Sequence, residues 1–261
     1  MKSFNIFFKY LKYLFHSGTK FNVHPPFLFD LLTQVFDDKK IYPAYHNVEN
    51  LKKQLIKNKQ TISITDLGAG SSTNKNPERT VSYIARTSSK NKKHGRLIYR
   101  LVNYFQPQTI LELGTSLGLS TAYMALGNPS SKVTTVEGCP NISGLAAENI
   151  KKLSIENINL KTGNFDELLP DILNSLNQLD FIFIDGNHQQ EPTIKYFEQC
   201  LSKINNDSIF IFDDIHWSEG MERAWEYIKQ HPSVTLSIDI FFMGIVFFKK
   251  ELTKEHFTIR F

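Results

Sequence analysis

The chain reads as an α/β protein: a doubly wound sheet of seven strands, mostly parallel with an antiparallel C-terminal hairpin, preceded by a helical extension. Three observations predict this. From His94 onward, short apolar runs alternate with amphipathic helical stretches, the rhythm of a parallel sheet covered by helices. One run, Thr109–Leu113, leads into a glycine turn and then a helical pattern closed by Gly127. Finally, later strands end in acids: Glu137, Asp185 and the pair Asp213-Asp214.

Length and composition suit such a fold. The 261 residues allow one large α/β domain of roughly 200 residues plus an appendage. A hydrophobic content of 41%, with 21 phenylalanines, can fill a sizeable core. Cys139 and Cys200 are too few for a disulfide framework, so a reducing cytoplasm is expected, and no C-x-x-C pattern suggests zinc. The longest apolar run, residues 240–248, is far short of the ~20 residues a spanning helix needs. Lys9 and Lys12 interrupt the apolar start of the chain, so no signal peptide is read there. Charge is uneven: residues 1–100 carry 18 Lys/Arg against 6 Asp/Glu, residues 101–261 carry 12 against 20. That split suits an anionic partner, self-complementary association, or solvated lysines on exposed helices.

In order along the chain, residues 4–15 place Phe4, Phe7, Phe8, Leu11 and Leu14 at helical spacing. This aromatic helix is expected to pack over the catalytic domain or a second subunit, a homodimer being the form the latter implies. Lying on a membrane surface is the alternative. Residues 27–36 read as a second helix and Val48, Leu51 and Leu55 mark a third. Residues 61–66 alternate as a strand, followed by Asp66, Gly68 and Gly70, which imitate a cofactor turn. No apolar helix follows, so a turn bordering the active-site mouth is the better reading. The polar, basic stretch 87–93 divides a basic, aromatic-rich extension, residues 1–90, from the main domain, residues 91–261. There, helices are expected at 96–105, 142–153, 166–176, 192–204 and 218–229. Strands are expected at 132–136, 158–161, 181–184, 208–212, 234–240 and 244–248.

The turn in Ile110 to Thr121 offers a cradle for a nucleotide-bearing cofactor. Gly114 and Gly118 let backbone approach a ligand, while free amides and the Ser116 and Ser120 hydroxyls can donate to it. The spacing Gly114-x-x-x-Gly118 lacks the third glycine of a dinucleotide fingerprint. Glu112 would repel a pyrophosphate but suit a cationic amino-acid end, which favours S-adenosylmethionine over NAD. A plain strand-to-helix connection is the bland alternative. Glu137 follows Gly118 at about the ~20-residue interval of a carboxylate that takes ribose hydroxyls. At the next tip, Gly163 precedes Asn164, placed to bond an adenine edge, and Phe165, placed to flank it; Cys139 either lines the adenine or fills space.

The two following tips carry Asp185-Gly-Asn187-His188 and Asp213-Asp214-Ile-His216. Adjacent parallel strands would gather Asp185, Asp213 and Asp214, whose mutual repulsion a hard divalent ion, Mg²⁺ by choice, would relieve. One of the paired acids could instead cap the next helix. His216 and Trp217 are expected to border the acceptor pocket, core packing being the alternative for Trp217.

The segments ILELGTSLGLSTAYMA, TVEG, FIFIDGNH and IFIFDDIHW, in that order, resemble the class I S-adenosylmethionine-dependent methyltransferases. They are most similar to the metal-dependent O-methyltransferases of the catechol, caffeoyl-CoA and sugar or macrolide type. The resemblance covers residues 94–261 and implies a Rossmann-like fold. It implies Glu112, Gly114, Ser120 and Glu137 on the cofactor, and Asp185, Asp213 and Asp214 as metal ligands; Ser116, Gly118, Gly138, Asn164, Phe165 and Asp185 are expected to join the cofactor contacts by their places at the strand tips. The catechol-type enzymes place a Lys three residues after the first metal Asp, and some sugar enzymes an Asp two residues after it. This chain has His188 and Asn187 there, and a base with a pKa near neutrality suits His188. The expected activity is methyl transfer to the hydroxyl of a small molecule. The rivals are an RNA methyltransferase using the basic front half, and an NAD-type nucleotide-binding protein.

Overall fold

In a computed structural model, the structure describes residues 2–65 and 77–261. The imitation turn at Asp66, Gly68 and Gly70 lies outside the described residues. In chain order the elements are α1 (Lys2–His16), α2 (Pro26–Leu31, continued by a π-helical turn Leu32–Phe36), α3 (Pro43–Leu55), β1 (Thr61–Ser63) and β2 (Glu78–Thr80). They continue with α4 (Val81–Thr87), α5 (Lys92–Phe105), β3 (Thr109–Leu113), α6 (Leu119–Gly127), β4 (Lys132–Glu137), α7 (Pro140–Lys152), β5 (Ile158–Thr162) and α8 (Phe165–Ser175). The remainder is β6 (Phe181–Ile184), α9 (Gln190–Leu201), β7 (Ile209–Asp213), α10 (Glu219–Gln230), β8 (Leu236–Asp239), β9 (Met243–Phe247) and β10 (Glu255–Thr258). The fold is α/β and Rossmann-like, with a mostly parallel sheet and an antiparallel edge.

Two compact units make up the chain, residues 38–172 and residues 1–37 with 173–261. The expected boundary near residue 90 falls inside the first of these, because α4 and α5 both belong to it.

In the unit of residues 38–172, β3, β4 and β5 run parallel, with Leu113 opposite Val136 and Val136 opposite Lys161. Leu111 and Leu113 are fully buried, as a strand covered on both faces requires. Asn91 starts α5 by accepting the His94 amide at 3.0 Å, and Gln106 ends it in a left-handed conformation just before Pro107. β1 falls within the strand expected at 61–66, whereas its antiparallel partner β2 and the short helix α4 were not expected, each being too brief to show a period.

In the other unit, β6 and β7 are parallel, with Ile184 opposite Phe212; β9 is antiparallel to both β7 and β8, and β10 lies parallel to β8. Among the described residues, β3, β4 and β5 thus belong to the first unit and β6 to β10 to the other, with β10 the strand that was not expected. The four residues of β6 are nearly solvent-free, a burial worth roughly 1.5–3 kcal/mol per side chain.

The first helix packs through a different side from the expected stripe. Phe7 and Phe8, two of its five residues, are 55% and 52% exposed. The tyrosine side packs instead: Tyr10 meets Phe241 edge-on at 4.9 Å, and the Tyr13 hydroxyl donates to the Ile259 carbonyl at 2.6 Å. Tyrosine anchors here because its ring fills space while its hydroxyl satisfies a backbone oxygen. Among the described residues, no helix is long and apolar enough to cross a membrane.

Candidate functional site

The glycine turn lies in the unit of residues 38–172, between the buried end of β3 and the start of α6. Gly114 (φ 107°) and Gly118 (φ 79°) take conformations closed to most side chains, and Ser116 is left-handed too, at φ 47°. Three such residues within five reverse the chain tightly, and the Gly114 and Thr115 amides donate to the Val136 carbonyl at 3.0 and 3.2 Å while the Gly118 amide donates to the Thr115 carbonyl at 2.9 Å. The Ser116 Oγ is buried and has no hydrogen-bond partner. A buried hydroxyl normally has one, so this atom is an exception among buried polar groups. A small cavity beside it is bordered by Ser88, Ser89, Lys90, Thr115, Ser116 and Ser120. The Ser88–Lys90 border was read from sequence as a linker alone; no residue pattern in it signals the role.

Two carboxylates fix the turn from behind. Glu112 does not reach outward to a ligand, as its position on the strand suggested. It is fully buried and accepts hydrogen bonds from the Ser120 and Thr135 hydroxyls, each at 2.6 Å, and from Thr121. Burial pushes its pKa up to about 7, with the Glu137 charge adding to the rise and the three hydroxyls opposing it. Ser120, expected as a ligand donor, spends its proton on Glu112. Thr121 and Thr135 went unnoticed because a threonine in an apolar run carries no distinctive signal.

Glu137, at the tip of β4, accepts the Ser116 amide at 2.8 Å and the Cys139 amide at 2.9 Å. It thereby joins two strand tips, with Gly138 half-buried beside it. Cys139 is buried and takes the Thr65 amide at 3.4 Å. Asn164 accepts the Asp166 amide at 3.0 Å, so its side chain starts α8, while Phe165 opens that helix half-buried. A glycine turn, a carboxylate at the second tip and a polar turn at the third thus lie at successive strand ends.

The acid tips lie in the other unit. The register of β6 and β7 sets Asp185 beside Asp213, which is 1% exposed. Oxygen or nitrogen atoms of Asp185, His188 and Asp213 all lie within 4.8 Å of one another, close enough to share one cation. The His188 Nε2 is 3.6 Å from an Asp185 oxygen. Asp214, expected as the third metal ligand, is not in this cluster. Its backbone turns left-handed at φ 53° and its amide donates to the Phe242 carbonyl at 2.7 Å, which takes the chain off the strand line. His188, expected as the base, takes that third place. Its donor set of two carboxylates and an imidazole fits a divalent ion.

His216 does not stand loose at a pocket. Its Nε2 contacts Asp239 at 2.8 Å, its Nδ1 contacts Glu222 at 3.1 Å, and its ring stacks on Phe241. Burial pulls its pKa down, but the bonds and charges of Asp239 and Glu222 outweigh that and leave it raised. Trp217 is 52% exposed.

Residues 111–215 match the family described as a methyltransferase domain, an interval that holds both the glycine turn and the acid tips. The chain is 28% identical over 124 residues to a catechol O-methyltransferase of Niastella koreensis, over 46% of this chain and 55% of that protein. It thus spans about half the length of that relative. It is 29% identical over 143 residues to a tRNA (guanine-N(7)-)-methyltransferase of Mycoplasma mobile, over 48% of this chain and 71% of that protein. Among solved structures, the O-methyltransferase from Bacillus cereus in complex with S-adenosylhomocysteine superposes with a TM-score of 0.57. The two are 21% identical, over 80% of this chain and 92% of that one, a likeness of fold.

Proposed function

From a chain whose residues 111–215 form a methyltransferase domain on the class I fold, we propose an S-adenosylmethionine-dependent O-methyltransferase acting on a small-molecule hydroxyl held by a divalent cation. One observation carries the choice of an oxygen nucleophile: the convergence of Asp185, His188 and Asp213 at the tips of β6 and β7. A cation there answers the needs of an acidic hydroxyl, whereas an amine or thiol acceptor calls for no such group.

The glycine turn receives the cofactor. The Ser116 hydroxyl bonds one of its polar groups, Glu137 takes the ribose hydroxyls, and Asn164 and Phe165 flank the base. Glu112 acts through the turn, holding Ser120 and Thr121 in place rather than touching the ligand. Asp185 and Asp213 would hold the cation, Mg²⁺ in the sequence reading, which supplies charge that lowers the acceptor's pKa and fixes its orientation. The acceptor's proton would leave to a neighbouring base, the role the sequence reading gave to His188, or to water. The remaining rate comes from aligning oxygen, methyl and sulfur.

Asp213→Ala tests this reading. Turnover against a panel of catechols and other hydroxyl compounds should fall roughly a hundredfold or more, with S-adenosylhomocysteine binding largely spared. Turnover that survives both this change and EDTA removes the cation from the account.

A second reading takes RNA as acceptor. The likeness to the Mycoplasma mobile tRNA enzyme and the 18 Lys/Arg of residues 1–100 favour it. It requires binding that weakens steeply with salt.

A further inference from the structure

We propose that His188 is itself a ligand of the cation, and that its nitrogen turns the site from Mg²⁺ toward later, borderline first-row ions such as Co²⁺. The proposal rests on the reading above that Asp185 and Asp213 hold a divalent ion. It replaces both the third ligand and the metal that the sequence suggested.

Geometry comes first. Asp185 and Asp213 are neighbours by strand register, and the third ligating atom near them belongs to His188, not to Asp214. The His188 Nε2 to Asp185 distance of 3.6 Å is too long for a hydrogen bond. It suits two atoms that share one ion at about 2.0–2.2 Å each. The loop is built to bring the imidazole there. Asn187 takes a left-handed conformation, φ 51°, and its side-chain amide donates at 3.1 Å to the hydroxyl of Tyr196, a fully buried residue of α9. That anchor reverses the chain directly before His188, so the ring returns toward the acid three residues earlier. Asp214 moves off by the opposite device, its own left-handed turn and its amide bond to Phe242.

Chemistry then sets the preference. Mg²⁺ takes oxygen ligands and keeps much of its water, whereas imidazole nitrogen suits later, softer ions. A ligating imidazole is neutral at the bound nitrogen and its lone pair is engaged. His188 therefore serves as ligand in place of serving as base.

The test uses the full chain stripped of metal, titrated with Mg²⁺, Mn²⁺ and Co²⁺ in the presence of S-adenosylhomocysteine. Any site favours Co²⁺ over Mg²⁺ to some degree, so the deciding comparison is with His188→Gln. That variant should lose roughly tenfold or more in Co²⁺ affinity while Mg²⁺ affinity changes little. Pulsed EPR of bound Mn²⁺ should show a ¹⁴N coupling in the natural chain that vanishes in His188→Gln. A Mn²⁺ spectrum without nitrogen coupling overturns the proposal, as does an unchanged Co²⁺ to Mg²⁺ ratio in the variant. Asp213→Asn separates the two levels. If it binds every ion as the natural chain does, or if the natural chain binds none, the cation site itself is wrong and His188 falls with it.

Discussion

Glu112 combines complete burial with three hydroxyl donors, and both facts bear on stability. Its pKa is about 7 folded against an ordinary carboxylate value near 4.5. The folded state thus binds the proton more tightly, and stability declines as pH rises from about 4.5 to 7. Glu112→Gln should flatten that decline, gaining on the order of 1–3 kcal/mol relative to the natural chain between pH 5 and 7.5. Denaturant titrations at several pH values check it; parallel pH profiles contradict it. Ser116 calls for the opposite pattern. Its buried hydroxyl has no protein partner, so Ser116→Ala should leave the melting temperature unchanged or raised while weakening S-adenosylhomocysteine binding severalfold. At this scale the sequence was a fair guide to which residues matter and a poor guide to which way they point. Glu112 and Ser120 were singled out as ligand contacts, yet they face each other. Strand position tells which residue stands at a tip; only packing tells whether its side chain turns inward.

Among elements, α1 is the most informative. It is held by tyrosines and one ion pair: Tyr13 donates to Ile259 and accepts the Phe261 amide at 3.0 Å, and Lys9 meets Glu222 at 2.8 Å. Tyr13→Phe removes both hydroxyl bonds and should cost about 1–2 kcal/mol, read by denaturant titration. Glu222 also bonds His216, whose other nitrogen bonds Asp239. Because the His216 pKa is raised on folding, its contribution is fully present below the ordinary histidine value and lost as pH climbs through the raised one. His216→Gln should abolish that alkaline loss, read by denaturant titration above the ordinary histidine value. The elements after His94 were legible because their apolar period is long and regular. Four-residue β10, with the charged Glu255, gave no such signal, and α1 misled because its phenylalanines fit a helical stripe as well as its tyrosines do. The exchange of Asp214 for His188 was hidden for a different reason. A left-handed turn at Asp214 and another at Asn187 decide it, and neither is a glycine.

For the whole molecule, the charge split of the sequence separates the two acceptor classes. If RNA is the acceptor, binding of a tRNA should weaken by several orders of magnitude between 50 and 200 mM salt. For a small hydroxyl compound, turnover should change little over that range. The proposed cofactor is where the account is most exposed. Calorimetric titration with S-adenosylhomocysteine tests it most directly, with NAD as competitor and Glu137→Ala as control. The account predicts one S-adenosylhomocysteine bound per chain, undisturbed by NAD, and an affinity reduced roughly tenfold or more in the variant. No binding, displacement by NAD, or equal affinity in Glu137→Ala would contradict it.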